Sequence, residues 1–153
     1  MQKTDDFITN RLKWKAEKFG LPTRFAFYYD DLLSDIKNHL AQQIDKENCG
    51  TPVLFFTKPT KEWTLVCSQQ VICNDNAKIV SLNISDIKQI LPTTFDPTLV
   101  GKVIDINTLK KKSEWDTIKI IDKKGSSNIF YADKGGDLFA LWNILLMAAR
   151  LYD

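Results

Sequence analysis

The residues able to do chemistry are few and widely spaced. His39 is the single histidine, and it precedes Leu40 on the polar face of a helical run. No Ser or Cys nucleophile motif and no G-x-S-x-G accompany it, so a catalytic base there would have nothing to activate. Cys49, Cys67 and Cys73 are the three cysteines, an odd count without a C-x-x-C or any paired spacing. That excludes a disulfide framework, and one histidine cannot complete a His-rich zinc site. Cys67 and Cys73 flank an expected hairpin turn, where they could face one another; as reduced thiols they would serve as small hydrophobes. Asp30-Asp31 suits a helix cap better than an acid/base pair. Lys134-Gly135-Gly136-Asp137 precedes a helix and could hold an anion on free N–H groups, but it lacks the order of a phosphate loop, and Asp137 reads as an N-cap. Lys110-Lys111-Lys112 could meet phosphates, yet no interleaved aromatics would stack bases, which leaves a solvated loop. No catalytic constellation, metal set or cofactor motif emerges.

Composition narrows the class. With 153 residues, the chain fits a single domain over 1–153 and can bury one proper core. A net charge of +2 is too small to argue for a nucleic-acid partner, and the first fifty residues balance eight Lys/Arg against eight Asp/Glu. The start, MQKTDDFITNRLKWK, lacks the apolar run of a signal peptide. Together with unpaired cysteines, this predicts a cytoplasmic protein. The most apolar stretch, Leu138 to Ala149, is twelve residues long and contains Asn143. A span needs about 20 apolar residues, so this is a buried helix and not a membrane anchor.

Elements that could position these groups follow from periodicity. Asp5 or Asp6 can cap a first helix through Ile8, Leu12, Lys15 and Phe19, stopped at Gly20-Leu21-Pro22. A second helix is expected from Asp30 or Asp31 to about Asn48-Cys49-Gly50, through Leu33, Ile36, Leu40 and Ile44. Between them RFAFYY could be helix, strand or loop. From Pro52 the period becomes that of strands: VLFFT, WTLVCS, QVICN, KIVSLN, DIKQIL, WDTIKIID and SNIFYAD, separated mostly by short turns that favour antiparallel pairing. LVGKVIDI, in the longer break before WDTIKIID, reads as an extra or irregular strand. The last helix carries a broad stripe through Leu138, Leu141, Trp142, Leu145, Ala148, Ala149 and Tyr152, with Phe139, Leu146 and Met147 extending apolarity around it.

The expected fold class is therefore α+β: two N-terminal helices, then a seven-stranded antiparallel barrel closed by a long C-terminal helix. WTLVCSQQVICND, KIVSLNISDIKQI, WDTIKIIDKKGSSNIFYAD and Trp142 in the last helix together resemble the pleckstrin-homology superfold in its bacterial and GRAM-like forms. The likeness covers 52–153, with residues 1–50 as a helical extension packed on the barrel. It implies that Trp142 is largely buried as part of a plug. It also implies that the first and last hairpin loops, holding Lys58 and Lys61 and Lys123 and Lys124, present cations to an anionic ligand or lipid head group. The arginine that the family's lipid binders carry in the second strand is replaced here by Val66, Cys67 and Ser68.

Two classes of function remain. One is a non-enzymatic module that binds another protein, with an inhibitor or immunity-type protein as a specific form; an exposed patch from Trp14, Phe25, Phe27, Tyr28 and Tyr29 would mark it. The other is a hydrolase with a carboxylate-based site, marked by a pocket of convergent polar groups and a shifted carboxylate pKa. A second copy of the chain is a further candidate partner, since the last helix is greasy all round.

Overall fold

A computed structural model describes residues 4–92 and 115–152. Its first helix, α1 (Asp5–Lys18), is capped by Thr4, whose hydroxyl accepts from the Phe7 N–H at 3.1 Å. Asp5 and Asp6 are not the caps expected of them; they fill the first turn, where their charge favours the helix dipole. Ile8, Leu12 and Ala16 form the buried stripe, so Lys15 and Phe19 fall outside it.

RFAFYY resolves into a short strand, β1 (Ala26–Tyr28), and a 3-10 turn over Tyr29–Asp31. The second helix, α2 (Ser34–Ala41), is shorter at both ends than expected, because Leu32 and Leu33 take extended backbone between the turn and the helix. The seven apolar runs lie in β2 (Pro52–Thr57), β3 (Trp63–Cys67), β4 (Gln70–Asn74), β5 (Ile79–Asn83), β6 (Ile87–Pro92), β7 (Thr117–Asp122) and β8 (Ser127–Tyr131). The last helix is α3 (Gly136–Leu151). LVGKVIDI and Lys110-Lys111-Lys112 lie outside the described residues.

The expected seven-stranded closed barrel is overturned. Among the described residues the strands form two antiparallel sheets, one ordered β1-β2-β3-β4-β5 and one ordered β6-β7-β8. Two local causes account for this. β1 pairs along β2, with Ala26 opposite Phe56 and Tyr28 opposite Leu54, and so takes a lateral edge of β2 that closure against β8 would use. At the other seam a 3-10 turn, Ile84–Asp86, separates β5 from β6 and breaks the ladder. The sheets meet instead through a side chain. The wholly buried Thr64 hydroxyl donates to the Tyr131 carbonyl at 2.6 Å and accepts from the Tyr131 N–H at 3.1 Å.

Strand alternation divides the core in two. Leu54, Phe56, Val66, Val71 and Cys73 face the larger cluster, which also holds Ile118, Ile120 and Phe130 of the second sheet, Ile8, Leu12 and Ala16 of α1, and Leu138, Leu141, Ile144, Leu145 and Ala148 of α3. Phe55, Trp63, Leu65, Cys67 and Ile72 face the smaller cluster, covered by Leu40 and Cys49. β3 is buried along its whole length because both of its faces are covered. Trp142, expected in the interior, is only partly buried. It stacks on Phe139 at 6.3 Å between ring centroids and tilts against Trp115 at 6.1 Å, on the flank of α3. Asp137 is one residue inside the helix and Gly135 caps it; the Asp137 carboxylate accepts from the Thr23 hydroxyl at 2.8 Å. No helix among the described residues is long and apolar enough to cross a membrane.

The loop entering β2 approaches the end of β3 closely at Gly50. This residue has φ +77°, and a Cβ there would lie 2.1 Å from Ser68 Oγ. Ser68 Oγ in turn accepts from the Thr51 N–H at 2.8 Å. Gly20 has φ +82° but open space around it. Gly20→Ala is therefore expected to cost about 1–2 kcal/mol, the strain of left-handed backbone alone. Gly50→Ala should cost more, about 2–3 kcal/mol, because the Ser68 bond is lost as well. Urea denaturation of the two variants gives the comparison; equal losses would show that Ser68 moves aside freely.

Candidate binding surface

The residues singled out in the sequence are not brought together. Lys58, at the start of the β2–β3 loop, is mostly buried, and its ammonium pairs with Asp116 at 2.7 Å and Glu62 at 3.7 Å. It also sits 5.5 Å from the centroid of the Tyr131 ring. Lys58 therefore ties the first hairpin to the start of the second sheet. Lys61 is exposed in the same loop. Lys123 and Lys124 occupy the β7–β8 turn, beside Asp86 and Asp122. Asp116 precedes β7 and Lys123 follows it, so the two lysine pairs are separated by the length of a six-residue strand, roughly 20 Å. No shared anion site is built from them.

The four aromatics around β1 also diverge, because neighbouring strand residues face opposite sides. Phe27 and Tyr29 pack on the smaller cluster and Tyr28 on the larger one. Phe25 is half-buried, with the Arg24 guanidinium 5.3 Å from its ring centroid. Tyr28 borders a shallow cavity of about 250 Å³ with Lys13, Glu17, Asp30 and Asp31. Its hydroxyl is buried without a hydrogen-bond partner among the described residues. Burial first, and then the Glu17 and Asp31 charges, hold that phenol above its usual range. His39 is exposed and contacts the Gln43 side chain at 2.6 Å.

Cys67 and Cys73, expected to flank one turn, lie on opposite faces of the sheet. Cys73 is paired with Thr64 across the β3–β4 ladder, and Thr64 and Cys67 are an odd number of residues apart. Cys67 shares the smaller cluster with Cys49 instead, whose thiol donates to the Gly50 carbonyl at 3.2 Å.

A coherent surface forms on α1, on the side away from its buried stripe. Phe7 is 43% exposed and Trp14 42%, unusual values for two large aromatics on one helix of 14 residues, and Phe19, 37% exposed, stands at its C-cap. Cations are interleaved with them. The Arg11 guanidinium lies 4.4 Å from the Trp14 ring centroid, Lys18 at 5.4 Å and Lys15 at 5.9 Å; Lys15 is also 5.9 Å from the Phe19 ring. Each ring face attracts the cations. Helical spacing explains the grouping: Phe7, Arg11, Trp14 and Lys18 recur at four, three and four residues. Lys13, on the flank, makes an exposed ion pair with Asp30 of the 3-10 turn at 3.4 Å. Of this surface, only Trp14 stands among the aromatics that sequence alone marks for binding.

In comparisons with known proteins, no family model matches this chain and no curated protein matches it.

Proposed function

We propose that the protein is a non-enzymatic binding module whose recognition surface is the outer face of α1, and that its partner is a protein with an acidic rim around an apolar pocket. The observation that carries this reading is the exposed Trp14 ring beneath Arg11, Lys15 and Lys18. Tryptophan and arginine dominate the energetics of protein interfaces when a partner desolvates them. The three cations supply complementarity to carboxylates, which speeds encounter and rejects basic partners. Phe7 extends the apolar contact along the same face toward the start of the helix. A partner held on this face has part of its own surface covered, the mode of action of an inhibitor or immunity-type protein.

The test compares immobilised wild-type protein with Trp14→Ala and with Arg11→Glu/Lys18→Glu, each exposed to lysate of the native organism and read by quantitative mass spectrometry. Both variants should lose a specific acidic-faced binder by about 30-fold or more, the effect of a hot-spot residue. Their thermal unfolding should stay near wild type, because none of the three side chains belongs to the core. Equal capture by all three proteins would overturn the assignment, as would loss of the same binder on changing Lys123 and Lys124 instead.

A further inference from the structure

The turn between β3 and β4 draws three distant segments to itself. The loop 49–52 is zipped antiparallel to 67–70. The Cys49 carbonyl accepts from the Gln69 and Gln70 N–H groups at 3.0 and 3.2 Å, and the Ser68 N–H donates to the Thr51 carbonyl at 2.9 Å. The Ile84 N–H, at the start of the 3-10 turn after β5, donates to the Gln69 carbonyl at 2.9 Å. The hydroxyl of Tyr152, the C-cap of α3, donates to the Ser68 carbonyl. Where these segments meet lies a cavity of about 460 Å³, lined by Asn48, Gln69, Gln70, Asn83, Ser85 and Tyr152. All six side chains are polar. Among the described residues none that lines it is charged, although 26% of the chain is.

The lining carboxamides are set by carboxylates and by one another. The Gln69 amide donates to Asp5 at 2.9 Å, the Asn48 amide to Asp45, and the Asn83 amide to Asp86 at 3.4 Å. A carboxylate only accepts, so each of these groups must turn its NH2 toward it. Asn83 keeps its carbonyl oxygen for Gln70, whose NH2 donates to it at 2.9 Å. What remains for a ligand is carbonyl oxygen. Among the described residues no hydrogen bond uses that of Asn48, Gln69 or Gln70, and the Gln70 oxygen is buried as well. A buried acceptor costs free energy while unmade, so a donor that reaches it gains most. Donation from an NH2 to a carboxylate also polarises the amide and strengthens its carbonyl as an acceptor.

We infer that this cavity binds a neutral saccharide of one or two rings, whose hydroxyls donate to the Gln69 and Gln70 carbonyl oxygens while an apolar ring face rests on Tyr152. The volume is that of a small-molecule site with a few placed polar groups. An anion would meet carbonyl oxygens and the nearby charges of Asp5, Asp45 and Asp86. A cationic group would find no carboxylate in the described lining to replace its water. Hydroxyls both donate and accept, as carboxamides and the Ser85 hydroxyl do, so a polyhydroxylated ligand matches the wall group for group. Among the described residues the lining holds none from α1, and the inference stands apart from the role given to that helix.

The experiment follows the amide NMR spectrum of the full-length protein as glucose, galactose, mannose, N-acetylglucosamine, maltose and lactose are each titrated in. A final concentration of about 50 mM populates a site with a Kd of about 1–10 mM. At least one sugar should give saturable shifts at the side-chain amides of Asn48, Gln69, Gln70 and Asn83 and at the backbone amides of Ser85 and Tyr152. Gln70→Leu should weaken that sugar by about 10-fold or more, the loss of one hydrogen bond to a buried acceptor. Its thermal unfolding without sugar should stay near wild type, because the substitution removes an acceptor that has no partner among the described residues. The wild-type titration needs no substitution, so a poorly folded variant cannot mask the result. The inference fails if no sugar of the panel moves these resonances, if the shifts map elsewhere, or if Gln70→Leu binds as tightly as wild type. It fails too if ammonium chloride at the same concentration produces the same saturable shifts, which would mark a cation site.

Discussion

Phe130→Ala is expected to lower the stability of the protein by about 3–5 kcal/mol, the range for deleting a wholly buried aromatic. Phe130 has no exposed surface and stands opposite Ile118 in the β7–β8 ladder, in the cluster shared with α1 and α3. The ring is large and its surroundings come from three different elements, so little relaxation can refill the space. Trp142→Ala should cost clearly less. Its ring lies on the flank of α3 against Phe139 and Trp115, where water already reaches part of it. Urea denaturation of both variants, with unchanged slope, gives the ranking. If Trp142→Ala proved the more damaging, the helix would be anchored through its aromatic flank, and the interior position assigned to Phe130 would be wrong.

Leu12→Ala tests whether the N-terminal helix belongs to the core or is an appendage. Leu12 is fully buried on α1, between Ile8 and Ala16, in the same cluster as Leu138 and Leu141 of α3. A loss of about 2–5 kcal/mol is expected, as for other buried leucines whose cavities cannot collapse. The same packing predicts that a chain beginning at Gly20 is insoluble or oligomeric, because it would expose the face of α3 that α1 covers. Size-exclusion chromatography of that truncation is the check. A monomer as stable as the full chain would show that α1 is dispensable to the fold. Trp14→Ala, two residues along, should leave stability nearly unchanged. The contrast between positions 12 and 14 separates the helix's structural side from its binding side.

Some of these elements are legible in residue order and others are not. Runs such as WTLVC and QVICN announce strands because their apolar and β-branched residues leave no helical alternative of comparable length. Ile8 and Leu12 announce a helix by spacing. The three residues of β1 do not announce a strand, because Ala26, Phe27 and Tyr28 show no usable period and pair only through β2, about thirty positions away. Closure of the sheet is illegible for the same reason: which edges meet depends on contacts remote in sequence, and β1 on the edge of β2 is such a contact. Lys58 resembles a loop cation by composition, while its carboxylate partner Asp116 comes from a distant segment. The α1 surface is half legible. Helical spacing of Phe7, Arg11, Trp14 and Lys18 is present in the sequence, but which side of the helix is buried depends on α3. The zipping of the 49–52 loop against the end of β3 is likewise hidden, since it rests on backbone bonds between distant segments and not on any local motif.

The Thr64 hydroxyl at the seam between the two sheets has a dynamic consequence. Elsewhere the strands are joined by backbone ladders, which open only when several bonds break together. At Thr64 the Tyr131 amide and carbonyl are held by one rotatable side-chain bond. A single turn about that bond frees both groups while leaving each ladder intact. The amide proton of Tyr131 should therefore exchange with solvent faster than its neighbours in the β7–β8 ladder, through a motion that unfolds nothing. Its exchange rate then serves as a built-in gauge of how tightly the two sheets are latched, and binding to one of them that reaches the other should register there first.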